Sequence, residues 1–226
     1  MTARVHPFSD PGSPGVRGFL HPPEGDARAG LVLTHGAGAD CNSGLLVALA
    51  ESFAKAGILV LRCDLPFRQA RPNGPPRPGD AALDREGLRK ALDAVRSLAE
   101  QPLLLAGHSY GGRQASMLLA EDSRGLPAEV KSLLLLSYPL HPPAKPTQLR
   151  TAHFPQLHTP ALFVHGSRDG FGSQEEMEQA IRAIPASTRL LPIQGAGHDL
   201  GFQRGKQAPN RVEMIVSEFF VFAGIG

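Results

Sequence analysis

Leu103-Leu104-Leu105-Ala106-Gly107-His108-Ser109-Tyr110-Gly111-Gly112 runs from an apolar stretch into a segment, residues 113–120, whose apolar positions have helical spacing. Residues 107–111 therefore spell G-x-S-x-G between a predicted strand and a predicted helix. A turn this tight strains its central residue and lifts that side chain above the sheet. Glycines on both flanks let strand and helix approach without Cβ clashes. In a chain with 25 glycines among 226 residues the bare pattern arises easily by chance, so its meaning depends on what the rest of the chain supplies.

Outward from that turn, strands and helices alternate. Residues 16–20 read as an edge strand, after an irregular stretch rich in Pro, Gly and Ser that covers residues 1–15. Residues 31–34 form a short β-type run that opens into the small-residue loop His35-Gly36-Ala37-Gly38-Ala39. A helix follows, capped by Asn42 or Ser43, with Leu45, Leu46, Leu49, Ala50 and Phe53 on one face and Gly57 at its end. Residues 58–63 are the next strand, closing on Asp64. Residues 66–79 contain five prolines and Arg68, Arg71 and Arg77, and are expected to be a surface loop. A helix over residues 80–100 carries Leu88, Ala91, Leu92, Val95 and Leu98 at helical spacing, with Glu86 and Lys90 as an i,i+4 pair.

Past the central turn, residues 132–137 are an apolar run of the kind buried on both faces of a parallel sheet. A proline-dotted connection over 138–160 leads to a strand at 161–165 and to the turn Gly166-Ser167-Arg168-Asp169-Gly170. Ser173 and Glu176 form a capping box for a helix burying Met177, Ala180, Ile181 and Ile184. A last strand, 188–193, enters Gly195-Ala196-Gly197-His198-Asp199, and a helix bearing Val212, Ile215, Val216, Phe219 and Phe220 closes the chain. This alternation predicts an α/β fold: a mostly parallel, doubly wound sheet with helices on both faces. The connections are too short for a large cap domain, and one domain over residues 1–226 is expected.

Composition narrows the function. The hydrophobic fraction of 42% supports a sizeable core, and the formal charge of +2 argues for neither nucleic acid nor an anionic membrane as a partner. Cys41 and Cys63 do not make a disulfide framework and read as reduced thiols. Residues 1–7 lack the apolar core of a signal peptide, and no run approaches the length of a membrane span. A cytoplasmic protein with a small-molecule substrate is the expectation. No spacing of His, Cys, Asp or Glu matches a metal site, and no cofactor is expected. The oligomeric state is not legible.

Ser109, Asp169 and His198, like residues 35–38 and Asp64, each lie just past the carboxyl end of a predicted strand, where open α/β sheets bind ligands. The order Ser, Asp, His, together with Gly107-His108-Ser109-Tyr110-Gly111, His165-Gly166-Ser167-Arg168-Asp169, Gly197-His198-Asp199 and His35-Gly36-Ala37-Gly38, resembles the α/β-hydrolase superfamily. The resemblance runs from about Leu31 onward. It is nearest to the small dienelactone-hydrolase-like and testis-expressed hydrolase-like members, and it implies the α/β-hydrolase fold. Dienelactone hydrolases use a cysteine where this chain has Ser109, so a lactone substrate does not follow.

A serine hydroxyl attacks a carbonyl only when a base removes its proton. The candidate roles are Ser109 as nucleophile, His198 as base and then acid, and Asp169 as the group that orients the imidazole. The backbone N–H of Tyr110 and one from residues 35–38, Ala37 first and Gly38 next, are the expected oxyanion donors. Gly38 and His108 are assigned to the substrate's surroundings, with His35 and His165 in supporting positions. Asp64 is expected to cap a loop, and Arg113 and the loop arginines to lie on the solvated surface. The reading is a hydrolase of short-chain carboxylic esters, thioesters or lactones working through an acyl-enzyme. Two alternatives are a non-catalytic interaction protein on the same fold and a nucleotide site built from Gly36-Ala37-Gly38 and Asp64. The latter lacks a third glycine, since Cys41 stands in its place.

Overall fold

The computed structural model describes residues 4–121, 130–202 and 209–225. The strands are β1 (His6–Asp10), β2 (Val16–His21), β3 (Ala29–Thr34), β4 (Ile58–Cys63), β5 (Leu103–His108), β6 (Val130–Leu136), β7 (Ala161–Gly166) and β8 (Thr188–Ile193). Among the described residues these eight form one sheet in the order β1-β2-β4-β3-β5-β6-β7-β8. β1 and β2 pair antiparallel, as do β2 and β4, and every later pairing is parallel. The helices are α1 (Gly44–Lys55), α2 (Pro66–Ala70), α3 (Asp80–Leu98), α4 (Tyr110–Glu121), α5 (Gln174–Ile181) and α6 (Pro209–Ala223).

Successive side chains of a strand point to opposite faces, and the four leucines of β6 show the result. Leu133 and Leu135 join a core with α3, α4 and α5, while Leu134 and Leu136 join a second core with α1 and α6. That two-sided burial is why β6 reads as an unbroken apolar run. Phe53 of α1 is fully buried between Phe219 and Phe220 of α6, with ring centroids 6.0 and 6.1 Å away. Truncating such a ring to alanine costs about 3–5 kcal/mol. The α/β class, the parallel sheet and helices on both faces agree with the sequence reading, and no large cap covers the described residues.

Several local expectations differ. Within the stretch read as irregular, residues 6–10 form β1, an edge strand paired to β2 and exposed along nearly its whole length; residues 1–3 lie outside the described residues. An edge strand tolerates Pro7 and needs no apolar alternation, so nothing in the pattern betrays it. β2 is consequently an inner strand. Residues 66–79 are not wholly a surface loop: they open with α2, started by Pro66 at the first helical turn, and Phe67 and Arg68 are buried. Leu98 ends α3 half-exposed, outside the face that buries Leu88, Ala91, Leu92 and Val95. Ser43 holds the N-cap position of α1 without a side-chain capping bond, and Glu86 meets Arg89 at 3.4 Å. The Ser173–Glu176 capping box is present in both directions.

Candidate active site

Ser109 sits between β5 and α4 at φ 50°, a left-handed conformation that costs a non-glycine residue about 1–3 kcal/mol. Its N–H donates to Leu136 O at 2.8 Å, and its carbonyl accepts the Arg113 N–H at 2.9 Å. The turn closes because a Cβ on Gly107 would lie 2.5 Å from Gly112 N, and one on Gly112 would lie 2.6 Å from Gly107 O. Any side chain at either position would push strand and helix apart. The sequence thus requires this backbone, and the backbone presents the Ser109 hydroxyl at the carboxyl edge of the sheet.

Asp169 follows β7 and His198 follows β8, and parallel pairing of the two strands brings both loops to that edge. His198 Nδ1 lies 2.8 Å from Asp169 Oδ2, and His198 Nε2 lies 2.8 Å from Ser109 Oγ. With the proton on Nδ1, the ring donates to the carboxylate and accepts from the hydroxyl. Asp169's side chain is sealed from solvent. Burial pushes its carboxyl up, but the bond from His198, the charge of that ring and the Phe171 N–H on Oδ1 at 2.9 Å outweigh it, so Asp169 stays below the ordinary carboxylate range. Asp199 takes no part, because its Oδ1 caps the Gly201 N–H at 2.9 Å.

Neighbouring side chains fix the imidazole. The Phe171 ring packs on it with centroids 4.3 Å apart. His108 Nε2 lies 2.9 Å from His198 O, so the structure turns His108 toward the histidine loop rather than leaving it free for substrate. Burial lowers the His108 pKa to about 4, which keeps the ring neutral, and Nε2–H donates that bond. His165 is buried, with Nε2 bonded to Gly172 O at 2.8 Å and Nδ1 3.9 Å from Asp169. Phe171 escaped the sequence reading; its one signal is its place two residues past Asp169, in the turn the carboxylate caps.

Residues 35–39 abut the same serine: a Cβ on Gly36 would lie 3.3 Å from Ser109 Cβ. The N–H groups of Ala37 and Tyr110 donate to no other described residue, as expected of a loop and a helix start whose donors face a ligand. The loop hangs on Arg68, contrary to the expectation of a solvated arginine. Only 5% exposed, Arg68 donates from Nη2 to Ala37 O at 2.8 Å and from Nε to Ala39 O at 2.9 Å, and reaches the carbonyls of Arg71 and Gly74 as well. Gly38 stands open on a cavity of about 520 Å³ that Ala37, Ser43, Arg68 and Asn73 help to line.

Tyr110 is tied down by its side chain. Its hydroxyl donates to Asp84 Oδ2 at 2.7 Å, and Asp84 Oδ1 accepts the Phe67 N–H at 2.9 Å. One buried carboxylate, its pKa raised by burial, therefore links the first residues of α4 to α2. Asp64 accepts the Cys41 N–H at 2.8 Å and Arg17 at 3.1 Å, which makes it a loop clamp and leaves little of it for a nucleotide ribose. Cys41 is buried, and burial raises its thiol to about 12; such a group is not a nucleophile at neutral pH.

A family model described as an alpha/beta hydrolase domain matches residues 27–221. Among solved structures, the dienelactone hydrolase from Anabaena variabilis superposes with a TM-score of 0.74 at 23% identity, over 98% of each chain. Est1E from Butyrivibrio proteoclasticus gives 0.75 at 17% identity, over 97% of this chain and 99% of its own. XC6422 from Xanthomonas campestris, described as a serine hydrolase without a lid, gives 0.70 at 14% identity, over 98% and 95%. At these identities the superpositions speak to the fold. No described helix is long and apolar enough to cross a membrane.

Proposed function

The chain belongs to the α/β-hydrolase family, and from that premise we propose that it is a serine hydrolase cleaving short-chain carboxylic esters, or related thioesters and lactones, through an acyl-enzyme on Ser109. The observation that carries the reading is the unbroken relay from Asp169 to His198 to Ser109, with both links at 2.8 Å. Ser109 Oγ attacks the substrate carbonyl while its proton passes to His198 Nε2. Asp169 holds the ring in the tautomer that can accept that proton and stabilises the imidazolium that results. The carbonyl oxygen gathers negative charge, which the N–H groups of Tyr110 and Ala37 are placed to receive. When the tetrahedral adduct collapses, His198 returns the proton to the departing alcohol or thiol. A water then repeats the sequence on the acyl-enzyme and frees the acid and the serine.

The short-chain preference rests on the absence of a large cap and on the small aromatic share of 6%, which leaves little greasy wall for a long acyl tail. Turnover of acetyl and decanoyl esters compares the two directly; faster turnover of decanoyl would reverse the preference. The reading itself is tested by a chromogenic short-chain ester with the wild type and Ser109→Ala. Loss of the nucleophile should lower kcat by about four decades or more, and equal activity in the two proteins would overturn the assignment.

A further inference from the structure

A second cavity, of about 320 Å³, lies between α4 and residues 142–153, and the mechanism above uses none of its lining. Its charged walls are Arg113, on α4, and Arg150, with Met117, Pro142, Leu149 and His153 around them. Arg113 Nε is shut from solvent without an acceptor among the described residues. Arg150 makes one side-chain hydrogen bond there, a long one of 3.4 Å to Pro139 O. Neither guanidinium has a carboxylate partner among the described residues, although nearby Arg85 has one in Glu121 at 2.8 Å. Burial, then the charge of Arg113, pulls the Arg150 pKa down, so two like charges share one partly dry space. His153, lowered to about 4 by burial and by Arg113 and Arg85, adds no charge, and its Nε2 meets Ser116 Oγ at 2.8 Å. Tyr138, fully buried, donates its hydroxyl to Arg150 O at 2.6 Å and so fixes the backbone of that arginine. The Tyr138 hydroxyl also meets the Arg113 guanidinium, but half-desolvated cations without a carboxylate partner cost folding free energy unless something else supplies the anion.

We propose that this cavity is a carboxylate subsite, and that the substrate carries a carboxylate at the far end of a short acyl chain. The inference rests on the serine-hydrolase reading for the identity of the ligand, but not for the existence of the subsite. Paired guanidinium groups match a planar carboxylate with parallel hydrogen bonds. Met117, Pro142 and Leu149 suit the few methylenes that would precede it. One wall of the cavity starts close to the nucleophile. Arg113 is one helical turn beyond Ser109, its N–H bonded to Ser109 O, and helical side chains lean toward the N-terminus of their helix.

The test compares the 4-nitrophenyl monoester of glutarate with 4-nitrophenyl butyrate, and measures free glutarate binding to Ser109→Ala by calorimetry. The anionic ester should have the higher kcat/KM. The ratio of the two kcat/KM values should fall about tenfold to a hundredfold in Arg113→Gln and again in Arg150→Gln, as expected for a charge-assisted bond to a carboxylate. Glutarate should bind Ser109→Ala and fail to bind once Arg113→Gln is added. The ratio compares two substrates in the same sample, so a poorly folded fraction cancels. An unchanged ratio in both arginine variants, with glutarate bound to Ser109→Ala and lost on adding Arg113→Gln, would overturn the substrate assignment and leave a separate anion site. No glutarate binding and no anionic preference would overturn the subsite altogether. Glutarate bound while neither ester is turned over would instead defeat the hydrolase reading and keep the subsite.

Discussion

Residues 195–201, which carry His198, and residues 35–39, which carry Ala37, meet at the same serine but are held in different ways. The histidine loop is tied to itself and to the end of the adjacent strand: Ala196 N–H to Ile193 O, Leu200 N–H to Gly197 O, Gly195 N–H to Ser167 Oγ and Arg168 N–H to Ala196 O. Two side chains from elsewhere also prop it, His108 on His198 O and Arg211 of α6 on Leu200 O at 3.0 Å. The 35–39 loop has a single internal turn bond, Ala39 N–H to Gly36 O, and two of its carbonyls depend on the guanidinium of Arg68, about thirty positions downstream. The acid–base half of the candidate site is thus built from neighbouring strand ends. The half expected to hold the oxyanion depends chiefly on a buried cation from another segment, with the Leu65 N–H donating to His35 Nε2 at 3.1 Å as a further tie.

The largest effect should come from the tightly built half. Replacing Asp169 by Asn preserves the shape of the turn but leaves the carboxamide competing for the wrong tautomer of His198. The expected loss in kcat is about 10⁴-fold, with a small change in unfolding midpoint because Oδ1 can still accept the Phe171 N–H. Ester turnover and urea unfolding on the same preparation check both halves of that statement. Activity within tenfold of the wild type would remove Asp169 from the relay.

Arg68→Met probes the other half. Without the guanidinium four carbonyls lose a donor, residues 35–39 relax, and the Ala37 N–H drifts from its line to the reacting oxygen. A misplacement of about 1 Å near the chemistry costs roughly 10²-fold, and loss of one oxyanion donor about 10²- to 10³-fold, so a fall of about 10²-fold in kcat is expected. Stability should fall too, by about 1.5–3 kcal/mol, the scale for a hydrogen bond to a charged group. Arg68→Lys should not recover the activity, because a point ammonium cannot span the fork from Nε to Nη2. If the drop appears in KM with kcat intact, Arg68 shapes the adjoining cavity rather than the donor loop.

The same contrast explains what could be read from residues alone. The turn at Ser109 was legible because its demands are local: Gly107, Gly111 and Gly112 are written where the backbone needs them. Asp169 and His198 were legible because strand ends in a parallel sheet converge by topology. Arg68 was not, because a proline-rich segment gives no sign that it opens with a buried helical turn, and a guanidinium that satisfies carbonyls leaves no periodic trace. Asp84 was hidden for the same reason: it lies in a helix whose other face carries ordinary charges, and only the fold brings it to Tyr110 and Phe67. β1 went unread because an exposed edge strand has no buried face to impose alternation.

The smallest expected effect concerns the prop under the histidine loop, and pH isolates it. His108 titrates near 4 in the folded chain, chiefly because it is buried, against an ordinary value of 6.5. The unfolded chain therefore binds a proton at this residue between those values and the folded chain does not. Stability from a neutral His108 is complete above about pH 6.5 and erodes as pH falls toward 4, with a slope of at most about 1.4 kcal/mol per pH unit from one such group. His21 and His153, also lowered to about 4, and His35, also lowered by burial, erode stability as pH falls below 6.5. His108→Gln retains a donor for His198 O but has no ring to titrate, so kcat at pH 7.5 should change by less than tenfold while the fall in stability between pH 6.5 and 4 becomes shallower by about one proton's worth. Urea titrations at several pH values across that window measure the slope. If it were unchanged, the acid sensitivity would belong to the other buried histidines, His21, His35 and His153, and the histidine loop would stand on its remaining bonds without help from His108.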